Sequence, residues 1–232
     1  ETTLMVLVAQ ARPSERAEFI KKTYQHLAGA VGAFIVVEFL FFQLGIAQAL
    51  TNFVLSSSFG YMALLGGFML LGYLSSGLAA KAGDINTQYM GLGLYVIGEA
   101  IMFAPLLGIA ILFSGGGIEV VQSAALVTLF LFGGLTAVVF TTGKDFSFLG
   151  GALKIFGMVA LGLIVCSFIF GFSLGIFFSF AMVAFAAAAI LYQTSQVMQR
   201  YPTDYYVAAS LALFSSVMLL FWYVLRIFMS RR

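Results

Sequence analysis

The chain has 232 residues, of which 62% are hydrophobic and 9% charged, with a net charge of +2 and a mean hydropathy of +1.08. A soluble domain carries about 45–50% apolar and about 25% charged residues, so no globule of this size hides that much apolar surface from water. Lipid is the remaining solvent; a soluble enzyme is excluded, and the weak net charge gives no footprint for a nucleic acid.

Taken in chain order, the sequence opens on Glu1 and not on Met, so a start further upstream is expected. Leu4-Met5-Val6-Leu7-Val8-Ala9 is apolar but too short to span, and no basic residue precedes it, so it does not read as a secretory signal. After Pro13, Ser14 is expected to cap a short interfacial helix, with Glu15 and Glu18 in its first turns and Phe19, Ile20, Tyr24 and Leu27 on its apolar side. Residues 1–26 therefore read as an N-terminal interfacial segment, and 27–232 as an all-α transmembrane domain. A span needs about 20 mostly apolar residues. Seven are predicted, over 27–50, 59–80, 88–113, 119–142, 148–171, 174–198 and 205–229. The runs are continuous and lack apolar/polar alternation, which selects helices over a barrel.

Basic residues orient the bundle. Arg12, Arg16, Lys21, Lys22, Lys81, Lys144, Lys154 and Arg200 fall at alternate ends of the spans, while the opposite loops near 51–58, 114–118 and 171–174 have none. The N-terminus is thus expected in the cytoplasm, with Arg231 and Arg232 at odds with the rule. Gly66-Gly67, Gly133-Gly134 and Gly150-Gly151, with Gly29 and Gly32, are expected to let helices pack closely. Lys144-Asp145 and Asp204 read as ordinary loop charges, and Thr203 or Asp204 as a cap for the last helix.

Charges inside the spans are the candidate functional residues. Glu38 and Glu99 lie near the middle of the first and third spans. Each ionised carboxylate there costs about 2.5–3.5 kcal/mol, so both are expected to face protein, as cation ligands or as neutral hydrogen-bond anchors. Arg226, near the end of the seventh span, either snorkels to the interface or pairs with a buried carboxylate. One cysteine, Cys166, and one histidine, His26, allow no intrachain disulfide, no Cys/His zinc site and no bis-histidine haem. The seventh span has no lysine for a retinal Schiff base. His26 sits at a span edge, away from any serine nucleophile, and no aspartate lies within a span, so the sequence points away from an enzyme.

Thr141-Thr142-Gly143-Lys144-Asp145-Phe146-Ser147-Phe148-Leu149-Gly150-Gly151 resembles the segment between the fourth and fifth helices of the Bax inhibitor-1 family. Ile190-Leu191-Tyr192-Gln193-Thr194-Ser195-Gln196 is similar to the motif ending that family's sixth helix. Tyr206-Val207-Ala208-Ala209 and Leu225-Arg226-Ile227 bracket a similar seventh helix. Upstream, Lys22-Thr23-Tyr24 with Leu27, and Glu99 to Pro105, extend the likeness to nearly the full length. The bacterial YccA-like branch, linked to an FtsH-type membrane protease, is the nearest in character.

The resemblance implies a seven-helix bundle, a calcium leak in some members, and a pH-sensing pair of aspartates from helices six and seven. Those two positions hold Gln193 and Ser216 here, and a pH-independent neutral hydrogen bond between them is expected. The leading expectation is a protein of the bacterial inner membrane that passes or regulates a cation. Glu99 and Glu38 would lie in the path, with no cofactor beyond transiently bound Ca²⁺. The alternative is a non-conducting partner that modulates an FtsH-type AAA protease or another membrane complex. A small-solute transporter lacks the expected broken helices and inverted repeat.

Overall fold

The computed structural model describes residues 7–56, 58–81, 83–113, 115 and 117–230. Among them are eight helices: α1 (Pro13–Gln43), α2 (Ile46–Ser56), α3 (Ser58–Ala79), α4 (Ile85–Phe113), α5 (Glu119–Thr142), α6 (Leu149–Phe170), α7 (Gly175–Gln199) and α8 (Tyr206–Ser230). All but α2 are long and apolar enough to cross a membrane, giving the all-α seven-span bundle that the sequence predicts. Arg231 and Arg232, and the first part of the apolar stretch at 4–9, lie outside the described residues.

The first span differs from its predicted form. The expected interfacial helix and first span are one 31-residue helix, so the junction at 26 and 27 falls inside α1. At 1.5 Å per residue it runs about 46 Å, well beyond a hydrocarbon core of about 30 Å. It begins two residues earlier than expected: Pro13 takes the first helical position, where its missing N–H costs nothing, and Arg12, not Ser14, is the cap. The Glu15 carboxylate accepts a 3.3 Å hydrogen bond from the Arg12 amide. Gln43 ends the helix because Gly45 takes φ +74°, a left-handed turn that side chains resist. Residues 46–50, predicted to finish the span, instead open α2, whose 11 residues are too few to cross. At the other end of the chain α8 starts at Tyr206, and the Tyr205 carbonyl takes its first bond, from Ala209 N–H, so Tyr205 holds the cap position expected of Thr203 or Asp204.

The centre of the bundle is α8. It packs against α7, α1, α5, α4 and α3, and α4 is the other largely buried span. An aromatic cluster joins them: Phe34 of α1 meets Phe103 and Phe214 edge-on, and Phe103 stacks on Phe221 at 5.4 Å. By contrast α6 leans on α7, reaching α3 through Phe168, which stacks on Tyr61 at 4.4 Å. The N-terminal stretch that is too short to span serves as a strap. Val8 N–H donates to the Tyr201 carbonyl at 2.9 Å, Leu7 bridges Pro202, and the Val8 side chain is fully buried. The strap ties the start of the chain to the α7–α8 connection; the end of the bundle it closes is called the strap face below, and the opposite end the far face.

Close helix packing falls on glycines other than the paired ones. Gly66, Gly67, Gly133, Gly134, Gly151, Gly29 and Gly32 have nothing within 4 Å of where a Cβ would stand, because their faces turn outward. Of the six paired glycines only Gly150 is close to a neighbour, the Tyr192 ring. The tight crossing is at Gly91, where a Cβ would stand 2.6 Å from both the Ala79 nitrogen and the Ser75 carbonyl oxygen of α3. Those are backbone atoms and cannot swing aside. Gly91→Ala is therefore expected to destabilise by about 1–3 kcal/mol through overpacking, while Gly134→Ala, facing open space, is neutral or stabilising by up to about 1 kcal/mol through helix propensity. Thermal unfolding of both variants in detergent reads the difference, and equal midpoints would refute the crossing.

Candidate functional site

Three chambers follow one another along α8. The first, about 440 Å³, is lined by Gln193, Ser216, Ser76, Tyr95, Tyr205 and Ser215 among others, with Tyr201 at the strap face. The second, about 240 Å³, contains Glu99 among Phe68, Met102, Met182 and Trp222. The third, about 400 Å³, opens at the far face around Arg226, Ser179, Tyr61 and Tyr223. Neighbouring chambers share their walls. Tyr95 and Ser215 line both the first and the second, and the Tyr95 hydroxyl donates to Ser215 Oγ at 2.8 Å, closing the way between them. Tyr61 and Tyr223 line both the second and the third.

Each predicted site residue has a definite place. Glu38 and Glu99 are each only 6% exposed, so both face protein as expected. Their surroundings differ. Glu99 lines the middle chamber, and its carboxyl is in hydrogen-bond contact with Tyr95, one turn earlier on α4. Glu38, on α1, lines none of these three chambers, and neither of its oxygens has a hydrogen-bond partner among the described residues. Gln193 and Ser216 do share the first chamber, but the expected hydrogen bond between them is not formed. Ser216 Oγ donates instead to the Ala212 carbonyl at 3.0 Å, the back-bond a serine finds within its own helix turn. Arg226 does not pair with a buried carboxylate; no described acid lies within ion-pair distance, and the guanidinium sits 5.9 Å from the Tyr223 ring centroid.

What this arrangement can do follows from its oxygens. Ca²⁺ takes about 6–8 oxygen ligands when held tightly. The middle chamber offers the Glu99 carboxyl and the hydroxyls of Tyr61, Tyr95, Ser215 and Tyr223, a lining with a single acidic group. Among the described residues no three His, Cys, Asp or Glu side chains gather as a metal site. A chamber with one carboxylate suits an ion in passage.

Two features of the strap face escape a reading of the sequence. His26 joins three helices: its Nδ1 lies 2.7 Å from the Lys22 carbonyl and its Nε2 2.7 Å from the Tyr89 hydroxyl of α4, while its ring meets Tyr206 of α8. A carbonyl only accepts, so Nδ1 carries the proton, and in the neutral ring Nε2 accepts from Tyr89. Asp145, expected to be an ordinary loop charge, is a hub. Its Oδ1 accepts from the Ser147 amide at 2.8 Å and Ser195 Oγ at 3.2 Å, and its Oδ2 from Arg200 at 3.1 Å. The α5–α6 connection is thereby clasped to the end of α7. Spacing gives no hint of either, since the partners that join the elements, Tyr89 and Tyr206 for His26 and Ser195 and Arg200 for Asp145, are distant in sequence; only the family-like motif marks Asp145.

The family model described as inhibitor of apoptosis-promoting Bax1 matches residues 16–232. An uncharacterized protein of Pseudomonas aeruginosa is 36% identical over 61% of this chain and 60% of its own length. A BI1-like protein of Arabidopsis thaliana is 36% identical over 47% of this chain and 44% of its own. An uncharacterized protein of Pasteurella multocida is 30% identical over 68% and 69%. The chain thus spans 60% and 44% of the first two relatives. No solved structure matches it.

The Asp145 clasp has a pH signature. The Ser147 amide, then the Ser147 hydroxyl, Arg200 and Ser195 hold its carboxyl down to about 2, from an ordinary 3.8. A carboxyl lowered in the folded state stabilises the fold above its unfolded value and loses that contribution as pH falls through the folded one. The clasp is therefore constant across neutral pH and fails only between about pH 4 and pH 2. Asp145→Asn should loosen it at every pH above about 4. Amide exchange at Phe146 and Ser147, corrected for intrinsic rates, reads this directly; equal protection in parent and variant would remove Asp145 as the clasp.

Proposed function

Since the chain belongs to the Bax inhibitor-1 family of membrane proteins, we propose that its three chambers are the closed form of a cation path with Ca²⁺ as cargo. The observation carrying this reading is the shared wall: one hydrogen bond, Tyr95 to Ser215, stands between a hydroxyl-lined chamber and the buried carboxyl of Glu99. A cation entering from the strap face meets neutral oxygens first, then the only carboxylate in the chambers, then the Tyr61–Tyr223 constriction. Glu38 stands outside this route. With Gln193 and Ser216 in the first chamber, the route carries no acid pair between α7 and α8, so that contact does not switch with pH. The proposal includes residence in a bacterial cytoplasmic membrane with the strap face inward, where the basic residues gather.

A second reading has its own support. Arg226 sets an unpaired positive charge in the far chamber, which repels a departing cation. That favours a non-conducting protein that modulates an FtsH-type protease or another membrane complex. Stoichiometric recovery of such a complex after gentle purification from the native membrane would support it.

Flux decides between them. In proteoliposomes Glu99→Gln should cut Ca²⁺ flux about tenfold or more, as expected for one lost charged contact, and Ser215→Ala should raise it about fivefold by freeing Tyr95. Glu38→Gln should leave flux unchanged. No flux in the parent, or equal flux in the parent and Glu99→Gln, would refute the path.

A further inference from the structure

The far chamber contains a charge for which a cation path has no use. Arg226 sets a guanidinium among α3, α6, α7 and α8 at the rim of the bundle. Its neighbours offer no negative charge: neither Glu99 nor Glu119 is within ion-pair distance. They offer hydroxyl groups. Ser167 and Ser230 spend theirs on carbonyls of their own helices, Ile164 and Ile227. Tyr61, Ser179 and Tyr223 donate to no described residue, although Ser179 is only 3% exposed and Tyr223 4%. The hydroxyl oxygens of these three open into the chamber, where an acceptor can meet them.

We propose that this chamber binds an oxyanion of the phosphate class, with Arg226 as counter-charge and Tyr61, Ser179 and Tyr223 as hydroxyl donors. The chemistry of the lining selects that ligand. The planar fork of arginine matches two oxygens of a phosphate, and three hydroxyls from α3, α7 and α8 can address the others. The volume of about 400 Å³ holds roughly a dozen waters, or one such group with part of its hydration. A cation is repelled, and an apolar ligand would leave every donor unmet. The phosphate can arrive free from solution or on the headgroup of an anionic lipid. This inference concerns the last chamber of the proposed cation path, but its test reads binding without flux, so the two readings can fail separately.

Trp222, the sole tryptophan, lines the adjoining chamber and reports on Tyr223 beside it. The full chain in neutral detergent is titrated with sodium phosphate against sodium chloride at matched ionic strength, following Trp222 fluorescence. In parallel, nanodiscs of phosphatidylcholine with and without phosphatidylglycerol are compared by native mass spectrometry for retained anionic lipid. A saturable response is expected in at least one arm: the phosphate arm assigns a soluble ligand, the lipid arm alone a headgroup. Arg226→Gln should weaken it roughly 10–100-fold, and Arg226→Lys, which keeps the charge without the fork, by less. Should Arg226→Gln lose its helical circular dichroism, the pair Tyr61→Phe and Ser179→Ala, which nearly conserves volume, should weaken binding about tenfold. No saturable response in either arm, or a response that folded variants leave intact, overturns the proposal.

Discussion

Hydrocarbon offers no partner to a polar group, so every polar side chain within the bilayer must be met by the protein itself. The bundle is arranged around that requirement. Glu99, Tyr95, Ser215 and Ser216 converge on α8, the helix with neighbours on most sides, while α3 and α6 turn glycines and large apolar side chains outward. The chambers along α8 gather polar groups that open onto shared space, while Glu38, outside them, has no hydrogen-bond partner among the described residues. The remaining capacity of the chamber groups is available to an ion, water or anion.

One end of this arrangement is held more firmly than the other. At the strap face Val8 pairs with Tyr201, Phe19 stacks on Tyr201 at 6.4 Å, His26 joins α1, α4 and α8, and Asp145 draws the α5–α6 connection onto α7. Burial pushes the Tyr201 phenol up to about 12, so it stays neutral where it borders the first chamber. These are local polar ties between elements distant in sequence. The far face, by contrast, is rimmed by serines bonded within their own helices and by an unpaired Arg226.

Membrane insertion, the number of spans and the burial of both carboxyls were legible in the sequence because each follows from the cost of exposing the wrong group to lipid. Which helix is central was not. Both α6 and α8 are predominantly apolar, and in lipid that composition serves equally for a core helix and for one bathed in acyl chains. For the same reason paired glycines gave no packing signal, whereas the isolated Gly91 marks a backbone crossing. The break at Gly45 was hidden because α2 continues the hydrophobic run of α1 without a change of composition. The Gln193 and Ser216 positions were placed together correctly through the family likeness, but the serine found its acceptor one turn away in its own helix.

The slight anchorage of α6 bears on how the chambers respond to their surroundings. Gly157, Ala160, Leu161 and Ile164 wall the middle chamber, and Ile164, Ser167 and Phe168 the far one. Both chambers therefore have a side that is held mainly through α7 and by the Phe168–Tyr61 stack. Acyl chains press on the outer surface of that wall. Lateral pressure, set by lipid shape and bilayer thickness, becomes a mechanical load on chamber width, while the volume at the strap face, with no α6 residue in its lining, stays shielded from it.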